Sequence, residues 1–399
     1  MAKPLSGIVF KVMKTTTGER KTFIRLFEGT IRVRDEIAVI SQDGRTASTK
    51  VKQLQSLQDG NQISVNDIAC GDIAIITGGD LKVGDIIGAA SDKLRVLQFH
   101  KPPILVKVSA KHQKEEQILH NALLNLTMED PFLKFVQDAN TKENTIHLFG
   151  KIQQEVLAES IKHQYGIEAT FSAPKIICIE KPSSIGTAVE YMGASNNPFF
   201  ATVGFRIEPG LDGSGLQYRL EVELGSLLLS FQKAIKETVK KVLQEGLYGW
   251  TVTDITVTLT HTGYDSVQST ANDFRSLVPL VLMNALQKAE TNVYEPVNKF
   301  QLILPEFGLS KVLSQLSALE GTFHEPQYQN KNVHLNGTIP VRTSDTLKSE
   351  LYSLTSGEGM ISFKPNDYVK VKADFPKNSR TQLNPLNRGE YLLHLNKIK

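Results

Sequence analysis

Thr251-Val252-Thr253-Asp254-Ile255-Thr256-Val257-Thr258-Leu259-Thr260-His261-Thr262-Gly263-Tyr264-Asp265-Ser266-Val267-Gln268-Ser269-Thr270-Ala271-Asn272-Asp273-Phe274 is the stretch whose reading decides the fold. Ile255, Val257 and Leu259 alternate with Thr256, Thr258 and Thr260, which predicts a strand with one apolar and one hydroxyl-rich face. The alternation stops at His261, so 262–269 reads as a loop. Thr270 lies three residues before Asp273, the spacing of an N-terminal cap and its acidic partner, and predicts a helix start. Phe274, Leu277, Val278, Val281 and Leu286 then recur at helical intervals to Ala289. A strand and a helix therefore clamp one polar loop carrying a single aromatic, Tyr264.

Working outward, 177–297 adds expected strands at Ala201–Ile207 and Tyr218–Leu224 and an amphipathic helix over Leu227–Gln244, closed by Gly246. Trp250, the chain's one tryptophan, is placed in the core. On both sides the order strand-helix-strand-strand-helix-strand appears. Upstream it runs Ile104–Val108, Lys114–Leu126, Phe132–Gln137, Thr145–Phe149, Lys151–His163 and Glu168–Phe171. The apolar face of its second helix is read as Ile152, Val156 and Ile161. Downstream it runs Phe300–Leu304, Leu309–Ala318, Gly321–Tyr328, Asn332–Ile339, Thr343–Leu354 and Gly359–Phe363. That order is the split β-α-β unit of ferredoxin-like folds. Residues 5–90, before the punctuation at His100-Lys101-Pro102-Pro103, hold only short β-rich runs: Gly7–Val12, Thr22–Phe27, Glu36–Ile40, Thr49–Leu54 and Asp72–Ile76. Turn clusters such as Gln42-Asp43-Gly44 separate them, the pattern of a small closed barrel.

Bulk numbers bound the class. At 399 residues the chain is too long for one core and fits about 2–4 domains. Its 40% apolar and 22% charged residues are ordinary for a globular protein. No run of about 18 apolar residues offers a membrane span, and Met-Ala-Lys-Pro-Leu-Ser lacks the apolar core of a signal peptide, so a cytoplasmic protein is expected. Cys70 and Cys178 are isolated and are expected to be buried free thiols. The net charge of +3 is uninformative, but 370–399 carries seven basic residues against Asp374 and Glu390. Such a tail suits contact with a phosphate backbone, or it lies solvated against its own domain.

Catalytic and nucleotide motifs are absent. There is no G-x-x-x-x-G-K-[ST], HExxH, GxSxG or paired cysteine ligand, and no metal site is expected. Gly210-Leu211-Asp212-Gly213-Ser214-Gly215 lacks a lysine and precedes a strand, which fits a turn rather than a phosphate cradle. His261 and Asp265 share one loop with no nucleophile in view. Tyr264 can stack on an unpaired base, worth about 1–3 kcal/mol, or can cover its own loop.

Other residues carry a resemblance. Glu129-Asp130-Pro131-Phe132 and Phe149-Gly150-Lys151-Ile152-Gln153-Gln154-Glu155-Val156 resemble the third domain of elongation factor G. Asn197-Pro198-Phe199, Gly213-Ser214-Gly215-Leu216-Gln217-Tyr218, Gln244-Glu245-Gly246-Leu247-Tyr248-Gly249-Trp250 and Ser269-Thr270-Ala271-Asn272-Asp273-Phe274-Arg275 resemble a narrower branch. That branch is the ribosomal protection proteins, elongation-factor-like GTPases that confer tetracycline resistance. Asn378-Ser379-Arg380 and Leu395-Asn396-Lys397-Ile398 fit it as well.

The resemblance implies a multidomain α+β protein covering the whole chain. An N-terminal β-barrel like domain II takes 1–99, a ferredoxin-like domain III 100–175, and an α+β domain four 176–297. A ferredoxin-like domain V takes 298–375 and a basic C-terminal tail 376–399. The family's leading GTP-binding domain has no counterpart here, so the chain reads as a fragment. It holds no cofactor itself, while GTP and Mg are implied for the missing domain. The implied partner is the ribosome, with no membrane and a monomeric state. Implied rRNA contacts are Asn196, Asn197, Pro198, Phe199 and Phe200, with Tyr264, Asp265, Ser266, Val267, Gln268 and Ser269. Lys377, Arg380, Arg388, Lys397 and Lys399 of the tail join them. The implied function is displacement of tetracycline from the ribosome, with no covalent chemistry. Family members tend to carry Tyr-Tyr-Ser-Pro-Val-Ser-Thr-Pro where this chain has Tyr264-Asp265-Ser266-Val267-Gln268-Ser269-Thr270-Ala271. The second tyrosine and both loop-stiffening prolines are missing. Two alternatives stay open: a translocase-like paralogue without drug protection, and a stand-alone RNA-binding scaffold.

Overall fold

The computed structural model describes residues 4–15, 19–41, 44–89, 102–130, 132–138, 141–223, 225, 227–329, 332–372 and 374–398, the last three without their side chains. The Gln42-Asp43 turn, His100-Lys101, Pro131, Leu224, the Lys397 side chain and Lys399 lie outside the described residues. The chain divides into two compact units, Met1–Lys175 and Ile176–Lys399.

In the first unit, eight antiparallel strands run in the order Thr46–Lys50, Glu36–Ile40, Ile86–Gly88, Ser6–Lys14, Arg20–Glu28, Ile73–Thr77, Leu54–Gln58 and Asn61–Ser64. Val9, Ile24, Leu26, Ile31, Ile76 and Ile87 fill their core. The run expected as one strand over Thr49–Leu54 is two strands, because buried Val51 sits where the chain changes partners. Thr46–Lys50 pairs with Glu36–Ile40, and Leu54–Gln58 with Ile73–Thr77. Asn61–Ser64 is exposed along its whole length, so no alternation marked it. Cys178 is buried as expected, but Cys70 is exposed on the turn after Asp67–Ala69.

The same unit then carries Ile104–Ala110, a helix at Glu116–Glu129, Lys134–Gln137, Asn144–Leu148, a helix at Lys151–Tyr165 and Ala169–Phe171. The strands lie in the order Lys134–Gln137, Asn144–Leu148, Ile104–Ala110, Ala169–Phe171. The first helix buries Leu119, Ala122, Leu123 and Leu126. The second buries Leu157 and Ile161, whereas Ile152 and Val156 are exposed. Five residues separate Val156 from Ile161, a turn of about 140° at 3.6 residues per turn. The three could not share a face.

In the second unit a four-stranded sheet has the order Gly186–Glu190, Ala201–Pro209, Ile255–Tyr264, Leu216–Leu220. Its last pair is parallel and is connected through the helix Leu229–Val242. That helix and Ala271–Ala289 cover one face, burying Phe205, Ile207, Phe231, Ile235, Val257, Leu259, Phe274 and Val281. Gly186 permits the tight approach of its strand, since a Cβ there would stand 2.1 Å from the Ala285 carbonyl oxygen. Helix Ala271–Ala289 is buried on more sides than its sequence stripe suggests, because Leu386, Tyr391, Leu392 and Leu395 of the C-terminal segment also pack on this core.

A seven-stranded sheet follows, with Thr251–Val252, Ile179–Pro182, Thr291–Pro305, Asn332–Pro340 and Thr322–Phe323 in order. Gln327–Gln329 joins Asn332–Pro340, and Met360–Lys370 joins Thr291–Pro305. Helices Leu309–Ala318 and Val341–Leu354 pack with it. Thr291–Pro305 is one strand of 15 residues. It runs unbroken across the boundary placed between 297 and 298, because its first half pairs with Ile179–Pro182 and its second with Asn332–Pro340.

Candidate functional site

At one end of the four-stranded sheet, the strand Ile255–Tyr264 continues past His261, where the sequence pattern placed a loop. The register against Ala201–Pro209 shifts between Gly204 and Phe205, so Gly204 faces His261 while Phe205 faces Leu259. Thr260 is the extra residue of a bulge, which inverts the inside-outside alternation without ending the strand. Past the bulge, Thr262 and Tyr264 pair with Val203 and Ala201. The hydroxyl face is also covered here: Thr256 and Thr258 are buried.

Tyr264 is therefore half-buried rather than exposed. Its ring meets Phe231 edge-on at 5.6 Å, and Phe231 stacks on Phe274 at 4.8 Å. Of its two readings, packing against its own domain is the one the structure shows.

The loop that follows is short and closed on itself. Asp265 Oδ1 accepts the backbone N–H groups of Val267 at 2.8 Å and Gln268 at 2.9 Å. The Asp265 N–H donates to Ser269 Oγ at 2.7 Å, and the Ser269 hydroxyl donates to the carbonyl of Phe200. These backbone bonds to the carboxylate hold Asp265 below its ordinary pKa. Val267 stands at the apex, 89% exposed, between exposed Ser266 and Gln268. Thr270 and Asp273 form the expected capping box, with the Thr270 N–H on Asp273 Oδ2 at 2.8 Å.

The partner loop, 191–200, divides its residues. Asn197 is buried: its amide donates to the carbonyls of Tyr191 and Ala201 and its Oδ1 accepts from the Phe199 N–H. Phe199 belongs to the core. Both were expected to contact a partner and instead shape the turn. Asn196, Pro198 and Phe200 are exposed. Tyr191 and Met192, which the sequence reading missed, are exposed beside them; an aromatic and a methionine after an alternating strand were the available signal. Together with Val267 they are exposed apolar tips on a polar frame, a candidate contact surface. It has no acid–base pair, since His261 Nδ1 lies 3.0 Å from Thr260 Oγ1 and the Asp265 carboxylate is held by backbone.

The tail is placed differently from a free basic segment. Arg388 Nη1 and Nη2 donate to Glu190 Oε1 and Oε2 at 2.6 and 2.8 Å, and Nη2 also to the Asn196 carbonyl at 2.5 Å. The Glu190 bonds raise the Arg388 pKa. Arg380 Nη1 donates to the Gly246 carbonyl at 2.6 Å, and burial pushes its pKa down. Both guanidiniums are internal fastenings. Lys377 is exposed.

Beneath the tail lies Glu180, fully buried and also missed. It accepts from the N–H groups of Leu247, Tyr248 and Trp250 and from the Thr291 hydroxyl, at 2.7–3.0 Å. Burial pushes its pKa up against those four donors. A lone carboxylate after Ile176-Ile177-Cys178-Ile179 was the signal. Trp250 is buried as expected, with its ring N–H on the Pro376 carbonyl.

The glycine cluster does not fit a nucleotide. The N–H groups of Gly210 and Gly215 go to Asp254 O and Oδ1, and Lys181 bridges Asp254 and Asp212 at 2.6 and 2.7 Å. Among the described residues no group of three or more His, Cys, Asp or Glu could hold a metal. Nor, among them, is any helix long and apolar enough to cross a membrane.

Four family models match in sequence order: elongation factor G domain 2 over residues 4–90, domain III over 99–173, domain IV over 174–290 and the elongation factor G C-terminus over 292–379. The tetracycline resistance protein TetP of Clostridium perfringens is 40% identical over 99% of this chain and 61% of its own length. The oxytetracycline resistance protein of Streptomyces rimosus is 36% identical over 98% and 61%, and TetM of Streptomyces lividans 35% over 92% and 57%. The chain thus spans about three fifths of the length of these relatives. A crystal structure from Thermus thermophilus shares the fold at a TM-score of 0.53 and 21% identity, covering 93% of this chain and 56% of that one.

Proposed function

From the premise that the chain belongs to the elongation factor G-like tetracycline resistance proteins, we propose that it is the ribosome-binding portion of a factor that displaces tetracycline. The eight-stranded sheet is its domain-two barrel, and the strand-helix-strand-strand-helix-strand layers are its ferredoxin-like domains III and V. GTP and magnesium bind in a nucleotide domain outside the residues matched here, and this chain supplies contact rather than catalysis. The factor works in the cytoplasm as a monomer, with ribosomal RNA near the decoding centre as its target.

One observation carries this reading: two loops joined through Ser269 and the Phe200 carbonyl hold Val267 at a fixed, 89% exposed apex. A rigid apex loses little entropy on insertion into a structured RNA pocket. The Asp265 bonds supply the stiffness that the family's prolines would, which favours drug displacement over the paralogue without it.

Release of labelled tetracycline from ribosomes on adding the whole factor, this chain joined to its nucleotide domain with GTP and magnesium, tests this. Release is expected, and Val267→Asp is expected to abolish it while leaving the melting curve unchanged. Ribosome binding without release would select the paralogue reading, and no ribosome binding would reject both.

A further inference from the structure

Resting on that reading only for its consequence at the ribosome, we infer that the C-terminal helix Arg388–Ile398 is an internal brace for the contact loops, with Arg388 as its positioning residue. Arg388 is the first residue of this helix, where the helix dipole disfavours a cation. Its place is therefore set by its partners. Glu190, 8% exposed, ends the strand that leads into the 191–200 loop, and a carboxylate that buried needs a paired cation or several hydrogen-bond donors; here the Arg388 guanidinium supplies both. The same guanidinium takes the carbonyl of Asn196, inside the loop. One planar group thus ties the root of the loop to its middle, using three of the five N–H donors of an arginine.

The helix reaches the second loop as well. Tyr391 donates to the Ser276 carbonyl at 3.4 Å, on the helix that follows 265–270, while Leu392 and Leu395 pack on the shared core. The Ser269–Phe200 bond closes the circuit between the loops. Upstream the tail is strapped down by the Asn378 N–H on the Tyr248 carbonyl and by Thr381 on Glu245. With its charge matched by Glu190, Arg388 has little left to offer a phosphate.

Arg388→Lys separates the two roles, because it keeps the charge but loses the fork. Amide exchange is measured in 191–200, in 265–269 and in the helix Ala271–Ala289, alongside the melting temperature and ribosome affinity. The brace predicts about a tenfold or greater rise in exchange in 191–200 for both Arg388→Lys and Glu190→Gln. The Ala271–Ala289 helix is expected to stay protected, and the pair swap Glu190→Arg with Arg388→Glu to recover part of the protection. At the ribosome, affinity is kept while tetracycline release falls. Unchanged exchange in 191–200 overturns the inference. So does exchange that rises equally in the Ala271–Ala289 helix, which would make the pair a general stabiliser. Loosened loops with undiminished release leave the brace standing and reject the rigid-apex premise of the proposed function, whereas no release with the unsubstituted protein rejects drug displacement itself.

Discussion

Tyr264 shows how a residue's surroundings decide its role. Its ring is half-buried on Phe231, so Tyr264→Ala removes packing as well as any contact. The expected loss is about 1–3 kcal/mol, seen as a lower melting temperature; an unchanged one would mean the ring is free surface. Asp265 carries a pH dependence. Its folded pKa is lowered by the Gln268 and Val267 N–H groups, so the carboxylate stays ionised to lower pH in the folded loop than in an unfolded chain. The loop's bonds are then intact above the ordinary carboxylate value of about 3.9 and are lost as pH falls through the lower folded value. A carboxyl titration by NMR checks this, and a midpoint at the ordinary value would mean the turn is not formed. Glu180→Ala would leave the Leu247, Tyr248 and Trp250 N–H groups without their acceptor. A loss of about 3 kcal/mol or more is expected in denaturant unfolding. The sequence left these environments undecided, with two readings open for Tyr264 and only a lone carboxylate after an apolar run to mark Glu180, because burial of one side chain is set by residues distant along the chain.

Helices and strands were more legible, since their periods are local. Leu309–Ala318 matches its expected bounds, and Lys151–Tyr165 differs only at its end. The Thr270–Asp273 box was readable from spacing alone and is present. Thr270→Ala is expected to cost about 1 kcal/mol, measured as a shift in the unfolding midpoint; no shift would mean Asp273 caps the helix unaided. What local period could not show is where pairing rearranges. The bulge at Thr260 hid the last third of the central strand, and the partner change at Val51 split another. A ladder's register belongs to two strands at once.

Over the whole molecule, the two compact units carry separate cores. Two calorimetric transitions are therefore expected, and Glu180→Ala should lower only the one belonging to Ile176–Lys399. A shift of both would mean that the units melt together. The family membership was legible in short motifs such as Gln244–Trp250 and Asn378-Ser379-Arg380, now seen to interlock: Asn378 binds the backbone of Tyr248 and Gly249, and Arg380 that of Gly246. Sequence by itself determined the succession of elements, the helix cap, the absence of catalytic motifs and the family, because these depend on local spacing and residue type. Only the tertiary structure decided that Arg380 and Arg388 fasten the tail, that Asn197, Phe199 and Tyr264 turn inward, and that Val267, Tyr191 and Met192 stand exposed at the loop ends. Which side of a loop faces water, and which partner a charge finds, depends on segments that meet only after the chain has folded.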